Sequence, residues 1–337
     1  LHSAGTVSLF SPGTIQKSSG KGGPSGLRKL RLLLIARDDS RYTVPASHYF
    51  IDELKKSAEV HVSHTSGFLE QIVADCPFEP DLIYILDYFE NGSPTVTGIR
   101  SMNIPVAIGL HDLHFGFDFR KRLLQLEEVR YIFTYYRDAF LSWYPEFSDK
   151  MRWLPHHANT DIYKDYEQTK DIGILLTGAI YDQIYPLRKR MLMRLSGHPD
   201  FVHHQHPGYR QIKQKENLLV GESYAREINR AKICLTCNSI YSYPLMKYFE
   251  IPACGSLLMA PASPELLDLG FVPGVHFVSI DEHNFEEKIN YYLNNDQERA
   301  EIIANGKKLI AEKHSTKQRV KDFLQTIEDI ILIEAKQ

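Results

Sequence analysis

From Leu30 onward the chain alternates continuous apolar runs with helical patterns, and nothing else in the sequence limits its possible folds as much. LRLLLIA (Leu30–Ala36), EVHVS (Glu59–Ser63), LIYIL (Leu82–Leu86), IPVAIGL (Ile104–Leu110), RYIFTYY (Arg130–Tyr136) and MRWLP (Met151–Pro155) read as strands, with a helix over Ala46–Ser57 and helical patterns between the later ones. Such strands are apolar on both faces, as in a parallel sheet covered by helices on either side. The cycle restarts at Asp171, after a joint near Pro155–Thr160. Two such cycles predict an α/β fold of two Rossmann-like domains facing each other across a cleft. A chain of 337 residues allows each domain its own core.

The expected boundaries are 1–28 for a flexible Gly/Ser-rich segment, 29–155 for the first domain and 156–315 for the second. The last helical pattern, about Thr316–Ile333, is long enough to cross back, so 316–337 belongs with the first domain. The head has no Asp or Glu and contains GKGGPSG (Gly20–Gly26). This is not a phosphate loop, because its glycines precede the first strand and the G-x-x-x-x-G-K-S/T order is missing. The head also lacks an apolar signal core, and a start without Met reads as a fragment or a processed form. A net charge of -3 gives no reason to expect nucleic acid or an anionic membrane as partner. No apolar run approaches the ~18–20 residues of a membrane span. A cytoplasmic protein is expected.

The densest chemistry lies in YPLMKYFEIPACG (Tyr243–Gly255), between the strand-like KICLTC (Lys232–Cys237) and the apolar SLLM (Ser256–Met259). Pro244 suits the first position of a helix and Gly255 the stop after its last turn. A helix start at the carboxyl edge of a sheet presents free amides to an anion, and a phosphate fits there. Lys247 adds a charge, and Glu250, three residues on, can accept hydrogen bonds from a sugar diol. The alternative is an ordinary amphipathic helix whose Lys–Glu pair contributes little.

The cysteines read as buried thiols. Cys234 and Cys237 form C-x-x-C, but residues three apart on a strand point to opposite faces, and no second ligand pair lies at a zinc-site spacing. His203, His204 and His206 diverge for the same reason. No metal and no other cofactor is expected. No D-x-D triplet occurs in the chain.

Lys247, Glu250, Ala253, Cys254 and Gly255 resemble, in register, the R/K-x-x-E-A-x-A-C-G donor segment of GT-B glycosyltransferases, and the wording is most similar to the CgeB/YkvP-like spore-protein glycosyltransferase group. The resemblance continues through Pro264–Ser315, and upstream through WLPHHANTDIYKDY (Trp153–Tyr166) and DIGILLTGAIYDQIYPLRKRML (Asp171–Leu192). It covers about the last two thirds of the chain. It implies a GT-B fold whose C-terminal domain holds a nucleotide-diphosphate sugar.

Further site residues follow from that expectation. GLHDLHF (Gly109–Phe115) resembles the "HDLH" segment of related sugar transferases, which places His111 over the donor sugar and makes Asp112 its orienter or a general base. The alternative is that this segment caps the helix beginning near Phe117. Gly178 ends the strand Ile174–Thr177, where a pyrophosphate or sugar can come close to bare backbone. Arg188 can neutralise the leaving diphosphate, or can lie on a solvated helix face with Lys189 and Arg190. Tyr209 follows the next strand, where the family binds the base; its ring can stack there, or belong to a surface loop. Leu245, Met246 and Lys247 are to supply helix amides to the diphosphate. The chain departs from the retaining members of the class at Ser242, where they carry a second Glu, and at Ala179, where they often carry Arg. Pro252 should kink or tighten the helix end.

The expected activity is metal-independent transfer of a sugar from a nucleotide-diphosphate donor to an unidentified acceptor. The alternatives are a non-catalytic nucleotide- or sugar-binding module of a larger assembly and a nonhydrolysing sugar-nucleotide epimerase.

Overall fold

The computed structural model describes residues 28–214 and 216–336, so the expected flexible head lies outside the described residues except for Arg28, which pairs with Asp81. Two parallel sheets organise the rest. The first contains β1 (Arg31–Ile35), β2 (Glu59–Ser63), β4 (Leu82–Ile85), β6 (Val106–Gly109), β7 (Tyr131–Thr134) and β8 (Met151–Trp153) in the order β2-β1-β4-β6-β7-β8. A short pair, β3 (Gly67–Phe68) and β5 (Val96–Thr97), lies outside it. The second contains β9 (Ile172–Thr177), β10 (Phe201–His204), β11 (Ala231–Leu235), β12 (Leu257–Ala260) and β13 (Val278–Ser279) in the order β10-β9-β11-β12-β13.

The apolar runs form these strands because both faces are covered. Leu33 and Ile35 of β1 face one core with Leu69, Ile83 and Ile108, while Leu32 and Leu34 face another with Phe50, Phe133 and Phe323. Helix α1 (Ala46–Ser57) covers the second face, and α2 (Leu69–Ala74), α3 (Phe117–Leu126) and α4 (Arg137–Trp143) follow in the first half. The second half carries α5 (Pro186–Leu195), α6 (Gly221–Arg230), α7 (Lys247–Ala253), α8 (Pro264–Asp268), α9 (Phe285–Asn294) and α10 (Asp296–Leu309). Finally α11 (Thr316–Glu334) returns to the first sheet and buries Val320, Phe323, Ile327 and Ile330 beside α1. Each such side chain contributes about 1.5–3 kcal/mol by leaving water.

In both sheets the chain runs outward from one strand and then continues on that strand's other side. The resulting crevices open at the carboxyl ends of β1 and β4 in the first sheet, and of β9 and β11 in the second. Ligands of open α/β sheets bind in such crevices. The two halves meet along several contacts. At the joint, Ala158 N donates to His314 O (3.0 Å) and Thr316 N to Ala158 O (2.9 Å), so both crossings run side by side. Glu265 of the second half accepts from Arg137 N (2.8 Å) and Asp138 N (3.2 Å), satisfying free amides of α4.

Several strand ends shift by a residue or two from expectation, and one helix start shifts further. The helix expected from Pro244 starts at Lys247. Its lead-in is pulled toward the first half instead, because Tyr243 stacks on Tyr136 at 3.8 Å and Tyr241 on His114 at 4.4 Å. Ser242 between them takes a left-handed φ of 60°. At the other end Pro252 tightens the helix: Gly255 N donates to Pro252 O at 3.0 Å, and Gly255 leaves with φ 71°.

Candidate active site

Gly178, Arg188 and Lys247 come together at the crevice of the second sheet. Gly178 ends β9 with φ 116°, a conformation that side-chain-bearing residues rarely adopt. A Cβ there would stand 3.0 Å from Lys247 Nζ and 3.1 Å from Arg188 Nη1. Arg188 is not on a solvated face: it is 2% exposed, packs 4.0 Å over the Tyr185 ring and donates from Nη1 to Ala179 O at 2.9 Å. Its Nε and Nη2 are buried without a hydrogen-bond partner among the described residues. Burial, and then the charge of Arg188, pull the Lys247 ammonium down to about 8. The same neighbourhood pulls His206 down to about 4, through burial and then Lys247 and Arg188.

Such a concentration of donors suits an anion. A buried guanidinium with unused donors loses solvation, and a diphosphate would restore both charge and hydrogen bonds. Lys247 is the first residue of α7, and Leu245 and Met246 precede it, so they are not the helix amides expected of them. None of the three amides has a backbone acceptor among the described residues.

Glu250 sits one turn further in and is 5% exposed. Burial raises its carboxyl above the usual range, with Lys247 and the Tyr163 hydroxyl opposing the shift. The hydroxyl of Tyr49 of α1 is pushed up to about 12 by its own burial and then by the charge of Glu250.

The first half contributes His111 and Asp112, one residue apart but in different surroundings. His111 follows β6, is nearly buried, and lies flat on Tyr135 with ring centroids 3.7 Å apart. Its Nδ1 bonds to Asp87, at the end of β4. Burial would raise the Asp87 carboxyl, but His111, Arg37 and Arg120 outweigh burial and hold it below its ordinary value. Gly109 accommodates the ring, since a Cβ there would meet His111 Nε2 at 3.2 Å and the Tyr84 hydroxyl at 2.9 Å. Asp87, and not Asp112, orients His111. Asp112 is exposed; across the cleft burial raises the Tyr185 hydroxyl, and the charges of Cys237 and then Asp112 add to that. The helix-cap alternative fails: the residue before α3 is Gly116, and no side chain caps it.

Tyr209 lies on the loop after β10, 64% exposed, with its ring 4.5 Å from His206. Cys237 is buried at the end of β11; burial raises its thiol, and Arg188 and Lys247 oppose that. Cys234 faces the other way, toward Ile228 O at 3.9 Å. His204 pairs with Glu227 at 2.7 Å, away from His203 and His206. Among the described residues no three His, Cys, Asp or Glu side chains group as metal ligands would.

A cavity of about 330 Å³ lies at the opposite edge of the second sheet, beneath Gly255. Much of its charged lining is already engaged, Lys307 with Asp165, Arg299 with Asp296 and Lys170 with the Asn229 and Gly255 carbonyls, so the cleft remains the better candidate. The sequence pattern gives Asp87 no role of its own beyond a place among the polar residues that follow the first-half strands. Its signal was the position itself, at the carboxyl end of β4 beside the crevice.

Residues 184–325, less than half of the chain, match a family model described as Glycosyl transferase-like. No curated protein matches the chain. Among solved structures, a glycosyltransferase from Rickettsia africae superposes with a TM-score of 0.61 at 10% identity, covering 91% of this chain and 99% of that one. Sucrose-phosphate synthase from Thermosynechococcus elongatus gives 0.60 at 12%, covering 91% and 100%. HepE of Anabaena, solved with UDP and glucose, gives 0.58 at 11%, covering 89% and 100%. The chain thus has the GT-B fold, and residues 184–325 are similar to the glycosyl transferase-like family.

Proposed function

We propose that this protein transfers a glycosyl group from a nucleoside-diphosphate sugar to an acceptor hydroxyl without a metal ion. The observation that carries the proposal is the convergence of the Lys247 ammonium and the buried Arg188 guanidinium, through its Nη1, on the bare backbone of Gly178. In the reaction the bond from the anomeric carbon to the diphosphate oxygen breaks, and its electron pair leaves on the diphosphate. Arg188 and Lys247 meet that developing charge, and they need no reorganisation because the fold has already placed them. The acceptor oxygen bonds to the anomeric carbon and gives up its proton. Asp112, exposed on the cleft, is assigned as the base, and His111, held by Asp87 and Tyr135, as the group against the transferred sugar. Glu250 is assigned to the ribose and Tyr209 to the base.

The UDP and glucose bound by HepE make UDP-glucose the first donor to test. The finer likeness to the CgeB/YkvP-like group rests on Lys247, Glu250, Ala253, Cys254 and Gly255. Residues 29–155 with 316–337 are read as the acceptor domain, and 156–315 as the donor domain. No described helix is long and apolar enough to cross a membrane, which fits a cytoplasmic enzyme.

The test is incubation with a panel of nucleotide sugars, followed by product analysis. Slow release of free sugar and nucleoside diphosphate supports the transferase. Binding without turnover would replace it with the non-catalytic module, and interconversion of the sugar with an epimerase.

A further inference from the structure

The Tyr209 ring packs against His206, with centroids 4.5 Å apart, and its side chain makes no hydrogen bond among the described residues. It stands on an irregular loop, mostly exposed, next to Gly208 with its φ of 89°. Its chain neighbours, by contrast, are held from the other half of the molecule. Thr43, 5% exposed between β1 and α1, donates from Oγ1 to Gly208 O at 2.7 Å and from its backbone N to Arg210 O at 3.0 Å. The same hydroxyl accepts from Arg210 N at 3.3 Å. Around these bonds the two loops pair as a short antiparallel ladder: Tyr42 lies opposite Gln211, Ile212 N donates to Arg41 O (2.7 Å), and Gln211 Nε2 to Asp38 O (2.8 Å).

Both sides of the ladder are anchored. In the first half the Arg37 guanidinium lies 4.2 Å from the Tyr42 ring and is itself held by Asp39 at 2.6 Å, while Pro45 stiffens the exit. In the second half Arg210 makes two bonds to Glu216, at 2.7 and 2.9 Å. An exposed ring binds a ligand well only if the loop beneath it is already ordered, since ordering on binding subtracts from affinity.

We infer that Thr43 is a positioning residue for the nucleotide base, fixing the Tyr209 ring through Gly208 and Arg210. The inference rests on the nucleotide-sugar reading above, in which Tyr209 stacks on the base. The base subsite is then complete only when the two halves are joined by this ladder, whereas the diphosphate subsite on Arg188 and Lys247 belongs to the second half alone.

The test compares the affinity of the intact chain for two probes by calorimetry: the tightest binder among UDP, GDP, dTDP and CDP, and inorganic pyrophosphate. Thr43→Val keeps the shape of the side chain and removes the hydroxyl. It should weaken nucleoside diphosphate binding roughly tenfold, about the loss of one to two net hydrogen bonds. Pyrophosphate affinity should stay unchanged, which also shows that the second half is folded, and Thr43→Ser should bind like the wild type. Tyr209→Ala combined with Thr43→Val should be no weaker than Tyr209→Ala alone, because both act on one ring. Wild-type nucleotide affinity in Thr43→Val, or equal loss of nucleotide and pyrophosphate, would overturn the inference while leaving the nucleotide reading intact. If the wild type bound pyrophosphate but none of the four nucleotides, the nucleotide reading would fall first and this inference with it.

Discussion

Arg188 and Lys247 approach Gly178 from two different helices, α5 and α7, and the backbone between them carries no side chain to keep them apart from a ligand. Gly178→Ala should therefore damage the site twice. The new methyl group would sit 3.0 Å from Lys247 Nζ, and the positive φ would cost about 1–2 kcal/mol. Nucleoside diphosphate affinity should fall about tenfold or more, as read by calorimetry. An unchanged affinity would mean that the diphosphate does not pass over this glycine.

The lowered Lys247 pKa gives the site a pH dependence. With the free lysine titrating at about 8, its charge is present below that value and lost above it. A bound diphosphate favours the charged form, so affinity should be level at pH 6.5–7.5 and decline above about 8, by at most tenfold per pH unit. Lys247→Ala should flatten that decline and lower affinity and turnover together. A wild-type decline that persists in Lys247→Ala would assign it to another group.

His111→Ala should depress turnover strongly while nucleotide affinity barely changes, because His111 belongs to the first half and the nucleotide is assigned to the second. Asp87→Asn should share the direction of that loss, since it removes the charge that holds the imidazole. Kinetics with the donor at saturation, alongside calorimetry, make the comparison. Full turnover in His111→Ala would move the first-half contact to the sugar onto Asp112 or Asp39.

Glu250→Gln should weaken nucleotide binding by about 1–3 kcal/mol, the usual cost of unmaking hydrogen bonds to a charged group. Because Glu250 is buried with a raised pKa, the variant should also keep or gain thermal stability at neutral pH. Loss of stability with unchanged affinity would make Glu250 a structural partner of Tyr49 and Tyr163 instead of a ligand group.

Excess EDTA should leave donor turnover intact, since Arg188 and Lys247 are assigned the charge of the leaving group. Activity that disappears with EDTA and returns with Mg²⁺ or Mn²⁺ would reverse this assignment.

Most of the fold was legible in the chain because local pattern and tertiary burial agree. Ala46–Ser57 and Glu59–Ser63 match the expected element bounds, and the unbroken apolar runs of β1, β4, β6 and β7 report burial on both sheet faces. The sequence also placed Gly178 at a strand end, Lys247 at a helix start and Glu250 one turn on from it, as the structure has them. Partners contributed by distant segments were not legible. The start of α7 depends on Tyr243 lying against Tyr136, and the orientation of His111 on Asp87 from another strand. Arg188 could be read as buried or solvated until α5 was packed, and Thr43 carried no signal before its loop met Gly208. Residue type and local periodicity determined which strands and helices form. Which side chains face each other was decided only by sheet order and by the contact of the two halves, because those contacts join residues whose local sequences contain no trace of one another.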